Sequence, residues 1–532
     1  MLNSWKKHFP FKKIRKQQKE AIEFALRSWK AGKRHVLIEA GTGVGKSAIA
    51  ICLARTLNMG MHQNAYAITC QKSLQKQYED SFHDVKSICA SSNFRCHAVK
   101  GMNCGQTLRI KDHLGFDQLG NQKKLTCQSR CPYRKARNAF LGSPISVTNY
   151  AYFLASTMYG AGIEPRGLLI LDEAHNLENE LTSWIGLRVS KSFCQRYSLD
   201  VNFPTDLRNK GDAKKWLVDI LEPCISKQMK DVQQRLERAD LSHARTLQKT
   251  AKEYDELDRM LCAIHRLDKH YSDEKWIISI DSTPSPTISL KPIYAGEFAE
   301  KQLYSYGEKT LMMSATILDF KLWCRTAGLK EEDVAYLQLD TPFKEENRPV
   351  YYAPVGRMSR QYLHKTINKM AEKIIAIMNE HDDEKGIIHT TSHHVARLIS
   401  ERIKDSRLLL HKQGDNIPKL LKKHAAAKKP TVLISPALTE GIDLSEDLSR
   451  FQIIAKLPFK NLGDPIVQAR MNSIDGWYAC CTARSIMQAS GRSVRSEKDR
   501  AVTYILDECF YNFLARHGTL FPKSFVNAIR AK

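Results

Sequence analysis

Residues 35–47 read HVLIEAGTGVGKS, a short apolar run followed by a glycine-rich loop that closes on a lysine and a serine. Residues 36–38 are typical of a buried parallel strand, and the apolar stretch 49–57 is typical of a helix. A strand, such a loop and a helix in this order predict a phosphate-binding loop, with Ala40 in the place of the usual first glycine.

The residue types in this loop suit separate tasks. Its backbone amides and the helix N-terminus hold phosphates, Lys46 reaches the β- and γ-phosphates as a point charge, and the Ser47 hydroxyl is a ligand for Mg²⁺. We expect nucleotide contacts along the whole loop, from Ala40, Gly41, Thr42, Gly43, Val44, Gly45, Lys46 and Ser47.

A second motif follows the apolar run 167–171, which reads GLLIL and is continued by DEAH at 172–175. Ligands of open α/β folds collect at the carboxyl ends of their strands. There Asp172 would hold Mg²⁺, Glu173 would orient and deprotonate the attacking water, and His175 would communicate with a second sheet. An acidic pair after a strand is also typical of a helix N-cap, but the upstream phosphate loop favours catalysis.

A third motif, QASGRSVR at 488–495, sets Arg492 and Arg495 three residues apart. On a helix both guanidinium groups face one way, which suits a triphosphate. Reaching in from a second domain they would act as arginine fingers, and Gln488 would contact the γ-phosphate or the water. The alternative is a solvated basic helix face.

Short apolar runs alternate with helical periodicity in two series, which predicts a doubly wound α/β fold. Two insertions interrupt the first series: a polar, cysteine-rich stretch at 86–140 and a stretch at 225–283 without glycine or proline, interpreted as antiparallel helices. Strands are expected at 36–38, 65–69, 167–171, 311–313, 386–390, 431–435, 452–455 and 501–506.

Five of the fourteen cysteines crowd into residues 89–131. Nothing at the start of the chain reads as a secretory signal, so a reducing cytosol and free thiols rather than disulfides are expected. A metal or a cluster therefore becomes the candidate that holds this polar insertion together. The five are Cys89, Cys96, Cys104, Cys127 and Cys131.

The 532 residues carry 82 Lys plus Arg against 57 Asp plus Glu, a net charge of +25. This excess favours a polyanionic partner, and nucleic acid first. The longest apolar stretches fall far short of the eighteen or so residues of a membrane span, so no membrane partner is expected.

Taken in order, these motifs resemble those of a superfamily 2 helicase, and the cysteine insertion narrows the resemblance to the XPD/DinG family of iron–sulfur helicases. The matching segments are Arg15 with Gln18, residues 40–47, 172–175, 314–316 (SAT), 440–443 (EGID) and 488–495.

The resemblance implies an α/β fold of two RecA-like parallel-sheet domains, with an inserted iron–sulfur module and a helical arch insertion. The first RecA-like domain would comprise 1–85, 141–185 with the DEAH box, and 291–330. The iron–sulfur module would be 86–140, the arch 186–290 and the second RecA-like domain 331–532.

The resemblance also assigns roles to residues. Arg15 and Gln18 would sit near the nucleotide, and Ser314 with Thr316 would couple nucleotide state to domain closure. Gly441 with Asp443 would link DNA contact to the ATP site. A 4Fe–4S cluster would be held by Cys96, Cys104, Cys127 and Cys131, with zinc and a substitution by Cys89 as alternatives.

The function that the resemblance implies is that of an ATP-dependent DNA helicase, a hydrolase that uses ATP and Mg²⁺ and moves 5′ to 3′ on single-stranded and forked DNA. Two alternative functions remain: an RNA or R-loop remodeller that acts on RNA–DNA hybrids, and a nucleotide-gated DNA-binding adaptor. The intact set Lys46, Asp172, Glu173, Arg492 and Arg495 argues against the adaptor. A cytoplasmic, nucleoid-associated monomer is expected, in DNA repair or as a phage or plasmid accessory.

Overall fold

The structure is a computed structural model. It describes residues 4–41, 43–57, 64–107, 130–158, 162–204, 210–238, 244–281, 285–341, 343–436, 444, 446–491, 494 and 499–531.

Strands in the described ranges fall into two large parallel sheets and one small antiparallel sheet. They are β1 (His35–Ala40), β2 (Ala65–Thr69), β3 (Val85–Ser87), β4 (Ile145–Asn149), β5 (Arg166–Asp172), β6 (Leu187–Ser190), β7 (Trp276–Asp281), β8 (Thr287–Pro292), β9 (Gly307–Ser314), β10 (Val334–Leu339), β11 (Val350–Gly356), β12 (Gly386–His389), β13 (Leu408–Leu410), β14 (Val432–Ser435), β15 (Phe451–Ile454), β16 (Val502–Asp507) and β17 (Ile529–Ala531).

Helices cover the faces of the large sheets and build most of the second insertion. They are α1 (Lys16–Lys30), α2 (Lys46–Leu57), α3 (Lys72–Ser81), α4 (Pro132–Gly142), α5 (Tyr150–Met158), α6 (Leu177–Ile185), α7 (Lys191–Arg196), α8 (Lys210–Lys215), α9 (Glu222–Glu237), α10 (Ala244–His270), α11 (Ala299–Gln302), α12 (Phe320–Ala327), α13 (Leu363–Glu380), α14 (His393–Ser400), α15 (Ile417–Ala426), α16 (Pro465–Ser473), α17 (Trp477–Ser490), α18 (Cys509–His517) and α19 (Lys523–Val526).

The first large sheet has the strand order β10-β1-β9-β5-β2-β4-β3, with every pair parallel. Alternate residues of β1 serve opposite faces: Val36 packs with α1 and α2, whereas Leu37 packs in the cluster that contains Phe153 of α5 and Leu177 of α6. Burial on both faces explains why its strands are continuous apolar runs. Since β1, β9 and β5 are neighbours, the segments that follow them meet at one edge of the sheet.

The second large sheet has the order β13-β14-β12-β15-β16-β11-β17, again with every pair parallel. Ile388 and Ile453 pack with helices α13 and α14 on one face, and Ile454 and Ile505 pack with α17 and α18 on the other. The predicted α/β class with two parallel-sheet domains is confirmed.

The insertion between β5 and β9 combines helices with the small sheet, whose order is β6-β8-β7 and whose pairs are antiparallel. Helices α9 and α10 run antiparallel, since Glu222 contacts His265 and Arg235 pairs with Glu253 further along. The prediction of helices throughout 225–283 is wrong at its end, because β7 (276–281) pairs with β8. Its sequence, WIISID, is rich in β-branched residues, which suit a pleated surface.

Within the described ranges, no helix has both the length and the apolar character needed to cross a membrane.

Candidate nucleotide site at the domain interface

The phosphate loop joins β1 to α2 through two glycines in the left-handed region, Gly43 at φ 83° and Gly45 at φ 90°. The φ of Gly45 favours glycine, and a Cβ atom there would lie 2.4 Å from Gln18 Nε2 and would displace that side chain. Gln18 Nε2 also donates to the Val44 carbonyl oxygen at 2.9 Å, and Arg15 donates to that of Gly43. The structure thus places both predicted nucleotide neighbours, Arg15 and Gln18, against the loop.

The predicted Mg²⁺ ligands meet around one tyrosine hydroxyl. Tyr78 donates to Asp172 Oδ2 at 3.0 Å and is hydrogen-bonded to Ser47. Burial raises the pKa of Asp172 to about 6, the Glu173 carboxylate adds to this rise, and the charge of Lys46 opposes it. Oxygen ligands gathered beside a lysine are what a magnesium–phosphate group requires. The sequence analysis did not predict Tyr78, because no local pattern identifies it as a residue of the site.

Lys46 and Glu173 lie on two sides of the site. Lys46 Nζ donates to the Ala40 carbonyl oxygen at 3.1 Å, which holds its ammonium group over the loop. Glu173 has φ 52°, an unusual conformation for a residue other than glycine, and its amide donates to Asp172 Oδ1 at 3.0 Å. Strained backbone of this kind clusters at functional sites. Here it directs the Glu173 carboxylate toward the cleft, whose wall it forms.

A hydrogen-bonded chain crosses the interface through His175. Its Nε2 lies 2.7 Å from Gln488 Nε2, and its Nδ1 lies 2.8 Å from Ser314 Oγ and 3.4 Å from Glu173 Oε2. Both ring nitrogens of His175 therefore have a hydrogen-bonding partner, one in each domain. Ser314 Oγ also accepts from the Thr316 amide at 3.1 Å. The chain therefore joins the DEAH segment to the segment after β9 and to the second domain.

These groups surround a cavity of about 550 Å³ between the domains. This volume lies within the usual range for small-molecule sites. Its walls include Gly41 of the phosphate loop, Glu173 and His175 of the DEAH segment, and Thr316 and Gln488. The site is a cleft between two sheets in which a phosphate loop faces residues of the opposite domain.

Several of the predicted site residues lie outside the described ranges. They are Thr42, Cys127, Gly441, Asp443, Arg492 and Arg495.

Three of the predicted cluster ligands are buried in the described part of the cysteine insertion: Cys96, Cys104 and Cys131. Cys104 Sγ lies 3.9 Å from Cys131 Sγ. Burial raises the pKa of Cys104 to about 12, and the thiols of Cys131 and Cys96 contribute to this rise. Cys89 instead donates to Gln75 Oε1 at 3.5 Å. Over the described ranges, no three His, Cys, Asp or Glu side chains form a group arranged to hold a metal ion.

Comparison with known proteins gives two family matches. Residues 363–528 match the helicase C-terminal domain, and residues 11–200 match the type III restriction enzyme res subunit.

The curated relatives that are named as ATP-dependent DNA helicases include the following two. DinG of Photobacterium profundum is 24% identical over 57% of this chain and 47% of its own length, and YoaA of Haemophilus influenzae is 20% identical over 76% and 70%. The chain thus spans about half the length of the DinG relative. A solved XPD helicase superposes with a TM-score of 0.69 at 14% identity, over 98% of this chain and 100% of that one; at this identity it supports the fold alone.

The two parallel-sheet domains with a phosphate loop in the cleft between them have the fold of the solved XPD helicase. The family matches and the DinG and YoaA relatives support the resemblance of the motifs to XPD/DinG-like superfamily 2 helicases.

Proposed function

We propose that this protein is an ATP-dependent DNA helicase that moves 5′ to 3′ on single-stranded DNA and unwinds duplexes, driven by ATP hydrolysis between its two sheets. The observation that carries the proposal is the chain Gln488–His175–Ser314, which ties the second domain to the segment of the catalytic carboxylates. The hydrogen bonds of this chain cross the cleft, so they change when the domains move, as a nucleotide-driven translocase requires.

Five side chains of the site would carry out the hydrolysis. Lys46 neutralises charge on the β- and γ-phosphates, and Glu173 accepts a proton from the attacking water. Ser47 and Asp172 would hold Mg²⁺, which supplies further charge neutralisation when bound. His175 contacts both Glu173 and Gln488, so it positions the base relative to the second domain.

The remaining motif residues act from the second domain. Arg492 and Arg495 serve as arginine fingers on the transferring phosphoryl group, and Gly441 with Asp443 links the DNA contact to the nucleotide. Alanine at Arg492 or Arg495 should then reduce hydrolysis by orders of magnitude and leave single-stranded DNA affinity largely unchanged. A variant that mainly loses DNA affinity would instead make these arginines a phosphate-tracking surface.

The cysteine insertion at 86–140 is the iron–sulfur module, with Cys96, Cys104, Cys127 and Cys131 as ligands. The close thiols of Cys104 and Cys131 and the buried Cys96 beside them support this donor set, because thiolates are the usual ligands of such clusters. A 4Fe–4S cluster bound there would cross-link a polar segment that has little apolar core of its own.

DNA is the proposed substrate for two reasons: the net charge of +25 suits a polyanion, and the relatives DinG and YoaA are named DNA helicases. The domain boundaries predicted from the sequence belong to the same proposal, with one correction: β10 (Val334–Leu339) pairs with β1, so the first domain extends beyond residue 330. A monomer in the cytoplasm near the nucleoid is also part of the proposal. RNA–DNA hybrid remodelling is the second candidate, because 2′-hydroxyl contacts decide between RNA and DNA.

The test measures ATP hydrolysis with and without single-stranded DNA, and strand separation on forked DNA and forked RNA. Wild-type protein should show DNA-stimulated hydrolysis and 5′-to-3′ DNA unwinding, and Lys46→Ala should show neither. Lys369→Ala, at an exposed lysine of α13, is the matched control and should behave as wild type. Nucleotide-dependent DNA binding without hydrolysis would establish the adaptor, and preferential RNA unwinding the remodeller.

A further inference from the structure

The segment Thr316–Leu318, directly after the hydrogen-bonded Ser314, has an unusual backbone. Leu318 has φ 68°, in the left-handed region that favours glycine. For a residue with a branched side chain this is a genuine outlier, and such conformations persist only where the surroundings hold them. Contacts from both domains converge on this segment.

The first domain holds the segment through Glu39, the residue just before the phosphate loop. Glu39 Oε1 accepts from the amides of Ile317 at 2.7 Å and Leu318 at 3.0 Å, and Oε2 accepts from the Tyr336 hydroxyl at 2.5 Å and from Gln338 Nε2 at 3.3 Å. The carboxyl group is buried, with the residue only 4% exposed. A buried carboxylate that binds two consecutive amides fixes the course of the backbone there.

The second domain holds the same segment through α17 and its neighbours. Arg484 Nε donates to the Thr316 carbonyl oxygen at 3.2 Å, and its positive charge acts on Glu39 across the interface. The side chain of Leu318 packs against an apolar cluster of the second domain that includes Ala483 and Ile486. Arg484 lies one helical turn before Gln488, so a single face of α17 contacts both the segment and the His175 chain.

We propose that Glu39, Arg484 and Leu318 form a closure sensor: the two domains together force Leu318 into its strained conformation, and this aligns Ser314 and Thr316 for hydrolysis. The inference rests on the proposed function and adds positioning residues to it. When the cleft opens, Arg484 and the apolar cluster withdraw and Leu318 relaxes. The strain thus opposes the closed state, so it favours reopening after hydrolysis and weakens nucleotide binding in the closed cleft.

The charge variants test the two anchors. Glu39→Gln keeps an acceptor oxygen for the two amides but removes the charge that faces Arg484, and Arg484→Met removes the partner charge. Each should lower the DNA-stimulated kcat about tenfold while KM for ATP changes less than about threefold. The double variant should be no worse than the singles, because both break one unit. Glu372→Gln and Arg516→Met, at exposed residues, are the matched controls.

The strain is tested by comparing Leu318→Ala with Leu318→Gly. Both remove the apolar contact, but only glycine adopts φ 68° without strain. The glycine variant should therefore bind a nonhydrolysable ATP analogue more tightly than the alanine variant and turn over more slowly. Melting temperatures accompany every measurement, and Arg484→Lys, which keeps the charge, should recover part of the stimulation if Arg484→Met folds poorly.

Anchor variants that behave like the controls, additive losses in the double variant, or equal analogue affinity at Leu318→Ala and Leu318→Gly would each overturn the sensor. Wild-type protein without DNA-stimulated hydrolysis would overturn the proposed function instead.

Discussion

A buried ion pair joins the two domains away from the nucleotide cavity. Arg470 of α16 reaches Glu178 of α6, with Nη1 to Oε1 at 2.9 Å and side-chain exposures of 5% and 11%. The same guanidinium group donates to Thr182 Oγ1 at 2.7 Å and to the Ile293 carbonyl oxygen at 3.0 Å. Glu178 Oε2 accepts from Trp477 Nε1 at 3.0 Å. The guanidinium group also donates to the Pro292 carbonyl oxygen at 3.2 Å, so both charged groups are buried among partners and the loss of one should have a measurable effect.

Glu178→Ala should destabilise the protein by about 4 kcal/mol. Removing one member of a buried pair leaves an uncompensated charge, which costs about 3–5 kcal/mol. The loss of the Trp477 hydrogen bond adds about 1 kcal/mol, and the remaining oxygen partners of Arg470 offset a similar amount. Replacing both members by apolar residues, as in Glu178→Leu with Arg470→Met, removes both buried charges and should fall within about 1 kcal/mol of wild type.

The assay is urea unfolding at neutral pH, followed by circular dichroism and compared as free energies of unfolding. The control is Arg397→Ala, because the Arg397–Glu401 pair is 61% and 53% exposed and should contribute less than about 1 kcal/mol. A loss below about 1.5 kcal/mol for Glu178→Ala, or a double variant as unstable as the single ones, would show that the pair is not a desolvated unit.

Three further predictions follow from single sites. Glu173→Gln should bind ATP but not hydrolyse it, measured by nucleotide binding and phosphate release; normal turnover would remove Glu173 as the base. Serine at Cys104 or Cys131 should lower the iron content of anaerobically purified protein and abolish unwinding while basal ATP hydrolysis remains; full iron content, or zinc in the wild type, would contradict the cluster. Burial lowers the pKa of His35 to about 4. As the pH falls, the unfolded chain therefore binds the proton at a higher pH than the folded protein does, and stability decreases below about pH 6.5. The protein should lose about 2 kcal/mol between pH 7 and pH 5, and His35→Asn should lose measurably less.

The parts of the site that were predictable from the sequence are those whose residues are adjacent in the chain. The phosphate loop and the DEAH segment follow long, fully buried strands, and such strands give unbroken apolar runs that mark where a loop begins. Short strands carry no such signal: β3, β13 and β17 have three residues each and were not predicted. They exist because neighbouring strands offer them hydrogen bonds.

The contacts that complete the site were not predictable, because they join residues far apart in the chain. Tyr78 reaches Asp172 across 94 positions, and Glu39 reaches Ile317 across 278. Nothing in the local sequence around Tyr78 or Glu39 distinguishes them from core residues. The prediction of helix at 276–281 was wrong for a related reason. A segment without glycine and proline can form either a helix or a strand, and pairing with β8 decides between them.

The two ends of α17 are held to the first domain by different kinds of contact. At its first residue Trp477 binds the buried Glu178, and near its last turn Gln488 binds His175, whereas the helix between them is 14 residues long, about 20 Å. At the first end the Arg470–Glu178 pair is buried between the domains, and at the other end Arg484 and the packing of Leu318 add to the Gln488 hydrogen bond. Because the nucleotide cavity lies at the Gln488 end, a rotation about the Trp477 end would open the cavity without separating the buried pair.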